Sequence, residues 1–117
     1  MKNNIVLEKS FNFALRVVKL YRYLVDEKKE YTLSKELLVA GTHIGKHVKE
    51  GVNAESRDVF ISEFGKARRK ASEAEYWLQL IKHAELISER EFESIESDMV
   101  EVNKLITSIV STSRINA

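Results

Sequence analysis

The amino-acid sequence predicts an all-α protein that folds as an antiparallel, up-down-up-down four-helix bundle, with residues 1–117 forming a single domain. Apolar residues recur with the 3-4 spacing of a helical stripe in four separate segments. The chain contains no proline, the residue that interrupts helices most strongly. Strict alternation of apolar and polar residues, the pattern of a half-buried strand, occurs nowhere. The connections are short, so we expect sequential helices to be antiparallel neighbours.

The first predicted helix carries two adjacent apolar rows. The row expected to face the core comprises Leu7, Phe11, Ala14, Val18, Tyr21 and Val25. The second row comprises Phe13, Val17, Leu20 and Leu24. A four-helix bundle needs only one stripe per helix, and soluble monomers seldom expose apolar patches above a few hundred Å². The second row therefore predicts self-association; the alternative is that it only widens the core stripe.

The other three helices each have one clear stripe. In the second helix it comprises Leu33, Leu37, Gly41, Ile44 and Val48, and it reaches Gly51. In the third helix it comprises Phe60, Phe64, Ala67, Ala71, Ala74, Leu78 and Ile81, with Ile61, Trp77 and Leu80 beside it as further surplus surface. In the fourth helix it comprises Phe92, Ile95, Met99, Val102, Ile106 and Ile109. Each stripe predicts one face packed into a shared core.

Local signals predict where these helices begin. Thr32 and Ser56 are the expected N-caps of the second and third helices, because a hydroxyl oxygen can accept a hydrogen bond from a free N–H of the first turn. Ser88 and Glu91 have the spacing of a capping box, in which the two side chains satisfy each other's backbone N–H groups.

Two glycines lie one turn apart in the second helix. An interior glycine destabilises a helix by roughly 1 kcal/mol relative to alanine, so Gly41 and Gly45 need a reason. We interpret them as a packing notch that admits a neighbouring helix, and we expect it to face Trp77 or Tyr76. A phosphate-binding glycine loop is the rival interpretation, but neither of its sequence patterns occurs here.

Composition excludes several classes of protein. The absence of cysteine excludes a disulfide scaffold, a thiolate zinc site and a cysteine nucleophile. No uncharged apolar run approaches the roughly 20 residues of a bilayer span, and no signal peptide is visible, so we expect a cytoplasmic protein without a membrane partner. The 19 basic and 18 acidic residues leave a net charge of +1, which argues against non-specific phosphate binding as the main role.

The histidines of the second helix are candidates for a site. His43 and His47 are four residues apart with Glu50 one turn further on, which suggests a divalent metal site and a metal-dependent enzyme. However, neither the His-Glu-x-x-His motif nor a Glu-x-x-His motif is present. The alternative is a structural polar cluster of His47, Glu50 and Glu75 that fixes the helix register. No nucleophile pairs with a base at a recognisable spacing, so we expect no enzyme activity and no metal.

Basic residues form the second candidate site. The densest cluster comprises Lys66, Arg68, Arg69 and Lys70, and antiparallel packing would bring Lys46, Lys49 and Arg57 near it. The first helix adds Arg16, Lys19 and Arg22. Such a cluster is a candidate nucleic-acid-binding face; an ordinary solvated face is the alternative.

Most of the chain resembles one family. Residues 37–51 (LLVAGTHIGKHVKEG), 53–61 (NAESRDVFI) and 73–78 (EAEYWL) resemble the signature of the four-helix-bundle family named for 23S rRNA intervening-sequence proteins. The opening residues 9–14 (KSFNFA) and 20–24 (LYRYL) fit the same family. His43 and His47 stand where that signature has Ser and Asn, and Lys46 stands where a small residue is common.

The resemblance implies a bundle that assembles into a homo-oligomeric ring, a pentamer, with no cofactor. A similarly built accessory protein of diversity-generating retroelements binds nucleic acid and a reverse transcriptase. We therefore expect a non-enzymatic scaffold that binds RNA or a ribonucleoprotein partner through its basic face. The alternative is a protein–protein adaptor or structural oligomer with no nucleic-acid partner.

Overall fold

The computed structural model describes residues 2–115, and these form four α-helices and no strand. The helices are α1 (Lys2–Asp26), α2 (Leu33–Val52), α3 (Arg57–His83) and α4 (Glu89–Ile115). Helices α1, α3 and α4 have 25, 27 and 27 residues. The predicted domain extends to residues 1, 116 and 117, which lie outside the described residues. No helix in this described part is both long and apolar enough to cross a bilayer.

The four helices surround one core. Helix α1 lies beside α2 and α4, and α3 lies beside the same two helices; within residues 2–115 no Cα atoms of the diagonal pairs α1–α3 and α2–α4 lie within 8 Å of each other. The bundle measures 46 × 21 × 20 Å, so its long axis is close to the length of a single helix of 27 residues. Each helix therefore has an inward face, two flanks against neighbours and an outer face.

The predicted stripes of α2, α3 and α4 are confirmed. Every member lies in the core except Leu33 and Phe60, which are half-buried against it. Of the surplus residues predicted on α3, Leu80 is 37% exposed, whereas Ile61 and Trp77 are half-buried. Three small side chains of the α3 stripe (Ala67, Ala71 and Ala74) are completely buried.

The assignment of the two rows on α1 was wrong. The row predicted to be surplus faces the core, since Phe13, Val17 and Leu24 are at most 1% exposed. The row predicted as core is half-buried or exposed, and its Phe11 is 63% exposed. The buried row has a polar member, Ser10, at the position where an apolar residue would complete the stripe. Its hydroxyl donates to the Leu7 carbonyl at 3.2 Å, so its burial leaves no polar atom without a partner. Counting apolar residues alone could not show that this row, and not the other, faces the core.

All three predicted helix starts are confirmed in position, and two of them have the expected capping hydrogen bonds. The Ser56 hydroxyl accepts from the Val59 N–H at 3.2 Å. In the capping box, the Ser88 hydroxyl accepts from the Glu91 N–H at 3.1 Å, and the Glu91 carboxylate accepts from the Ser88 N–H at 3.0 Å. These hydrogen bonds lower the pKa of Glu91.

Thr32 occupies the predicted N-cap position of α2, but the predicted role of its hydroxyl was wrong. The Thr32 side chain makes no capping hydrogen bond, and the carboxylate of Glu30 caps the helix instead. It accepts from the N–H groups of Thr32 at 3.0 Å, Leu33 at 2.8 Å and Ser34 at 2.8 Å. Burial tends to raise the pKa of Glu30, but these backbone hydrogen bonds outweigh it and the pKa is lowered. Just before it, Lys29 takes a left-handed backbone conformation (φ 54°) that turns the chain back from α1.

The glycine notch of α2 exists but faces α1. A Cβ placed on Gly41 would lie 2.8 Å from a methyl carbon of Val17, and one on Gly45 would lie 3.5 Å from a backbone oxygen of α1. The expected partners, Trp77 and Tyr76, belong to α3, and Tyr76 is 61% exposed. A Cβ on Gly45 would make an ordinary contact, and it is Gly41 that lets α2 lie close to the buried row of α1.

Candidate nucleic-acid interface

Two lysines of the predicted basic cluster lie on the α2-facing flank of α3. Glu63 lies on this flank because its carboxylate reaches His47 of α2. Lys66 follows Glu63 by one turn, and Lys70 follows it by two turns. The Lys66 ammonium lies 3.3 Å from the carboxylate of Glu63, and that of Lys70 lies 3.2 Å from Glu73. Part of the positive charge of the cluster is therefore balanced within α3.

Arg68 of the cluster lies on the opposite flank of α3, toward α4, together with Arg57, which was expected near the cluster. Arg57 donates to the backbone carbonyl of Ser113 in α4 at 3.1 Å. Arg68 follows Arg57 by about three helical turns and precedes Glu75 by about two. Glu75 accepts a hydrogen bond from Asn103 of α4 at 3.3 Å, so this flank of α3 is the α4-facing one. The dense cluster in the sequence is thus divided between two flanks of one helix.

The remaining predicted cations extend the positive charge around the bundle and do not concentrate it in one patch. Lys46 and Lys49 border a groove between α1 and α2. Arg69 lies between the two flanks of α3 and is exposed. Among the described residues, Lys46, Lys49, Arg68 and Arg69 make no ion pair within 4.0 Å. The seven candidate residues therefore extend around the bundle from the α1 side to the α4 side.

The predicted polar cluster was wrong in two of its three members. The Nδ1 atom of His47 lies 2.8 Å from a carboxylate oxygen of Glu63, and both side chains are mostly buried, at 14% and 16% exposed. Glu50 is exposed, and Glu75 pairs with Asn103 on the other flank of α3. The hydrogen bond with His47 lowers the pKa of Glu63, so the ionised carboxylate accepts and the ring nitrogen donates. Glu63 was missed because only the register between α2 and α3 identifies it.

His43 and His47 of α2 lie edge to face, with ring centroids 6.3 Å apart. Burial lowers the pKa of His43, and the nearby charges of Lys46 and Lys70 lower it further. In the part of the chain that the structure describes, no three His, Asp or Glu side chains are grouped as metal ligands. His43, His47 and Glu50 are therefore not brought together as the metal hypothesis required.

Sequence reasoning missed a groove between α1 and α4. It has a volume of about 770 Å³, and Lys19 of α1 and Arg90 of α4 stand on its two walls. Arg16 also borders it and is held in place by α4: it donates to the Ser94 carbonyl at 2.9 Å and lies 2.8 Å from Asp98. The three-residue spacing of Arg16, Lys19 and Arg22 was visible in the sequence. That Arg90 borders the same groove as Arg16 and Lys19 depends on the packing of α1 against α4.

A second groove, of about 660 Å³, runs between α1 and α2, and its surface as a whole is mainly apolar. Leu7, Phe11 and Ala14 of the first apolar row line it, and Gly45 forms part of its opposite wall. The row that was expected to face the core therefore faces this groove and solvent.

Comparisons with known proteins place this arrangement in a known family. Residues 2–108 match the family model described as 23S rRNA-intervening sequence protein. The chain is also similar to a protein of unknown function from the S23 ribosomal protein family of Bacteroides thetaiotaomicron, whose crystal structure was determined at 1.70 Å. The two sequences are 45% identical over 95% of this chain and 99% of that chain, and the TM-score is 0.92. No functionally curated protein matches significantly.

Proposed function

The chain belongs to the family of 23S rRNA-intervening sequence proteins, and from this premise we propose that it is a non-enzymatic, homo-oligomeric scaffold that binds RNA or a ribonucleoprotein partner. The observation that carries the proposal is the apolar surface of α1 at Phe11 and Leu15, which a single copy leaves in water. A cytoplasmic location is part of the proposal, because ribosomal RNA would be the partner there. No cofactor is needed for this role.

The proposed assembly starts from helices that run alternately up and down. Pairs between α1 and α4 support this direction: Lys9 contacts Glu101 at 2.7 Å, whereas Arg16, further along α1, contacts Asp98, earlier in α4. Residue numbers also run in opposite directions in the polar contacts between α3 and α4, which include Arg57–Ser113, Glu75–Asn103, Gln79–Glu96 and Lys82–Glu89.

Exposed apolar side chains support self-association into a ring. On α1, Phe11 is 63% exposed and Leu15 is 46% exposed. On α3, diagonally across the bundle, Val59 is 46% exposed and Tyr76 is 61% exposed. If the α1 face of one copy packs on the α3 face of the next, the contact is heterologous, and such contacts form rings when the rotation closes. Burial of this surface would contribute roughly 25 cal/mol per Å².

Multi-angle light scattering tests the assembly. The wild-type protein should have a mass several times the 13.5 kDa of one chain, and a double variant with Phe11→Glu and Leu15→Glu should be smaller. The control Val100→Glu introduces one carboxylate at a 41% exposed apolar residue of α4 and should leave the mass unchanged. A wild-type monomer at all concentrations would contradict the proposal.

The exposed cations support RNA binding. Lys46, Lys49, Arg68 and Arg69 are all exposed, and a ring would repeat them in every copy, so the net charge of +1 per chain does not limit the local potential. Binding to a structured rRNA fragment should weaken steeply with salt because each phosphate contact releases counterions. Fluorescence anisotropy should show lower affinity and a shallower salt dependence for the double variant Arg68→Glu, Arg69→Glu. An unchanged affinity would exclude this face.

The second candidate function is a protein–protein adaptor or structural oligomer without a nucleic-acid partner. It is favoured by the near-neutral net charge and by the pairing of Lys66 and Lys70 with glutamates of α3. An oligomer that binds no RNA even at low salt would support it over the RNA scaffold.

A further inference from the structure

The groove between α1 and α4 combines an apolar floor with a cationic rim. Leu20, Ile87 and Ile95 form the floor; the last two belong to the core and are 7% and 3% exposed. Lys19 stands on the α1 wall and Arg90 on the α4 wall, and both are exposed. The volume of about 770 Å³ lies within the range of about 300–1,000 Å³ that is common for small-molecule sites.

The cations of this groove differ in what they can still bind. Arg16 is committed to α4: besides its contacts with the Ser94 carbonyl and Asp98, it donates to the Ser94 hydroxyl at 2.8 Å. It therefore joins the two walls. Lys19 and Arg90 make no ion pair within 4.0 Å among the described residues. They are free to hold an anion between them.

The carboxylate in the groove makes no ion pair within 4.0 Å with these cations among the described residues. Glu91 lines the wall, but its carboxylate accepts the N–H of Ser88 in the capping box of α4. The groove is thus bordered by three cations and one committed carboxylate. An anionic group that lies between Lys19 and Arg90 would meet positive charge from both helices.

An aromatic ring lies beside the rim. Tyr23 lines the groove and is half-buried, so part of its ring remains accessible. The ammonium of Lys28 lies 6.0 Å from the centre of this ring, which brings another cation to the same end of the groove. Aromatic rings flanked by cations are typical of sites for nucleobases, since a base stacks on the ring while its phosphate meets the positive charge.

We propose that this groove binds a nucleotide unit of single-stranded RNA, with its phosphate between Lys19 and Arg90 and its base against Tyr23 and the apolar floor. The inference rests on the RNA-binding role proposed above and gives it a second, concave site that shares no residue with the seven cations of α2 and α3. Double-stranded RNA presents its bases inside a stacked helix, whereas a single strand can place one base in a groove between two helices.

Fluorescence anisotropy with a short, fluorescein-labelled oligouridylate tests the site in the full chain at low salt. The double variant Lys19→Glu, Arg90→Glu should lose at least about tenfold in affinity, since it replaces both free cations with carboxylates. Tyr23→Leu should lose about five- to a hundredfold, and Tyr23→Phe should keep most of the affinity, because stacking needs the ring and not the hydroxyl. The control Lys35→Glu, Lys104→Glu makes the same charge change at exposed residues outside both sites and should bind like the wild type.

Tyr23 packs against the core, so its substitution could also disturb folding. A second measurement therefore uses the wild-type protein alone. Backbone amide NMR shifts of the wild-type protein on addition of uridine monophosphate should change most around Lys19, Tyr23 and Arg90. Shifts confined to α2 and α3 would overturn the site. So would binding of oligouridylate at wild-type affinity by the Lys19→Glu, Arg90→Glu variant and by Tyr23→Leu. Wild-type protein that binds the structured rRNA fragment but not oligouridylate would overturn the site alone; absence of binding to either RNA would overturn the RNA-binding role as well.

Discussion

Gly41 of α2 lies directly against Val17 of α1. A Cβ atom placed on Gly41 would lie 2.8 Å from Val17 Cγ2 and 2.9 Å from Cγ1, closer than real Cβ atoms approach a neighbour. Val17 is completely buried, and a valine has little freedom to rotate away. The missing side chain at Gly41 therefore sets how closely the two helices approach.

Gly41→Ala should lower the free energy of unfolding by about 1–3 kcal/mol, because overpacking outweighs the gain in helix propensity. Gly65→Ala on α3 is the matched control, since nothing lies within 4 Å of its added Cβ; it should raise stability by about 0.5–1 kcal/mol. Chemical denaturation followed by circular dichroism measures both. A stabilised Gly41→Ala variant would show that α1 and α2 can separate without loss.

Two leucines of α1 provide a matched test of which row faces the core. Leu24 is completely buried and Leu15 is 46% exposed. Leu24→Ala should lower the free energy of unfolding by about 2–5 kcal/mol through the lost burial and the cavity. Leu15→Ala should change it by less than about 0.5 kcal/mol when denaturation is followed on dilute protein. Equal effects would mean that the two rows share the core.

The cap of α2 provides a test in which stability depends on pH. Glu30→Gln should lower the free energy of unfolding by about 1 kcal/mol at pH 7, whereas Thr32→Ala should have a smaller effect because its hydroxyl caps nothing.

The pKa of Glu30 is lowered from its ordinary 4.5 in the folded state. Its contribution is therefore complete above pH 4.5 and is lost as the pH falls through the lowered folded-state pKa. Urea denaturation between pH 3 and pH 7 should show a shallower acid loss for Glu30→Gln than for the wild type. Parallel curves for the two proteins would exclude this carboxylate as the cap.

The pair of His47 and Glu63 can be measured by a double-mutant cycle. Glu63→Ala should lower the free energy of unfolding by about 1–3 kcal/mol, because it leaves a mostly buried ring nitrogen of His47 without its partner. The cycle with His47→Ala should give a coupling energy of at least about 0.5 kcal/mol. Glu50→Ala is the control and should have little effect, since Glu50 is exposed. Coupling between His47 and Glu50 instead would restore the cluster that the sequence suggested.

These residues show how far the candidate sites could be predicted from the sequence. The basic residues of α3 were recognised as a run, but a helix turns by about 100° per residue, so Arg68 and Lys70 lie on different flanks. Glu63 and Arg90 were not recognised, because each acquires its role from a residue on another helix. Spacing along one chain identifies the residues of a helix face; it does not identify the face opposite.

The number of helices, their lengths and the core stripes of α2, α3 and α4 follow from local periodicity and from capping signals such as Ser88 with Glu91, because these interactions lie within a few turns. The rotation of α1 does not follow from them. Helix α1 has two adjacent apolar rows, and the packing of Val17 against Gly41 turns the row that includes Ser10 toward the core. That rotation leaves Phe11 on the surface and places Lys19 opposite Arg90, so both proposed surfaces depend on contacts between residues far apart in the chain.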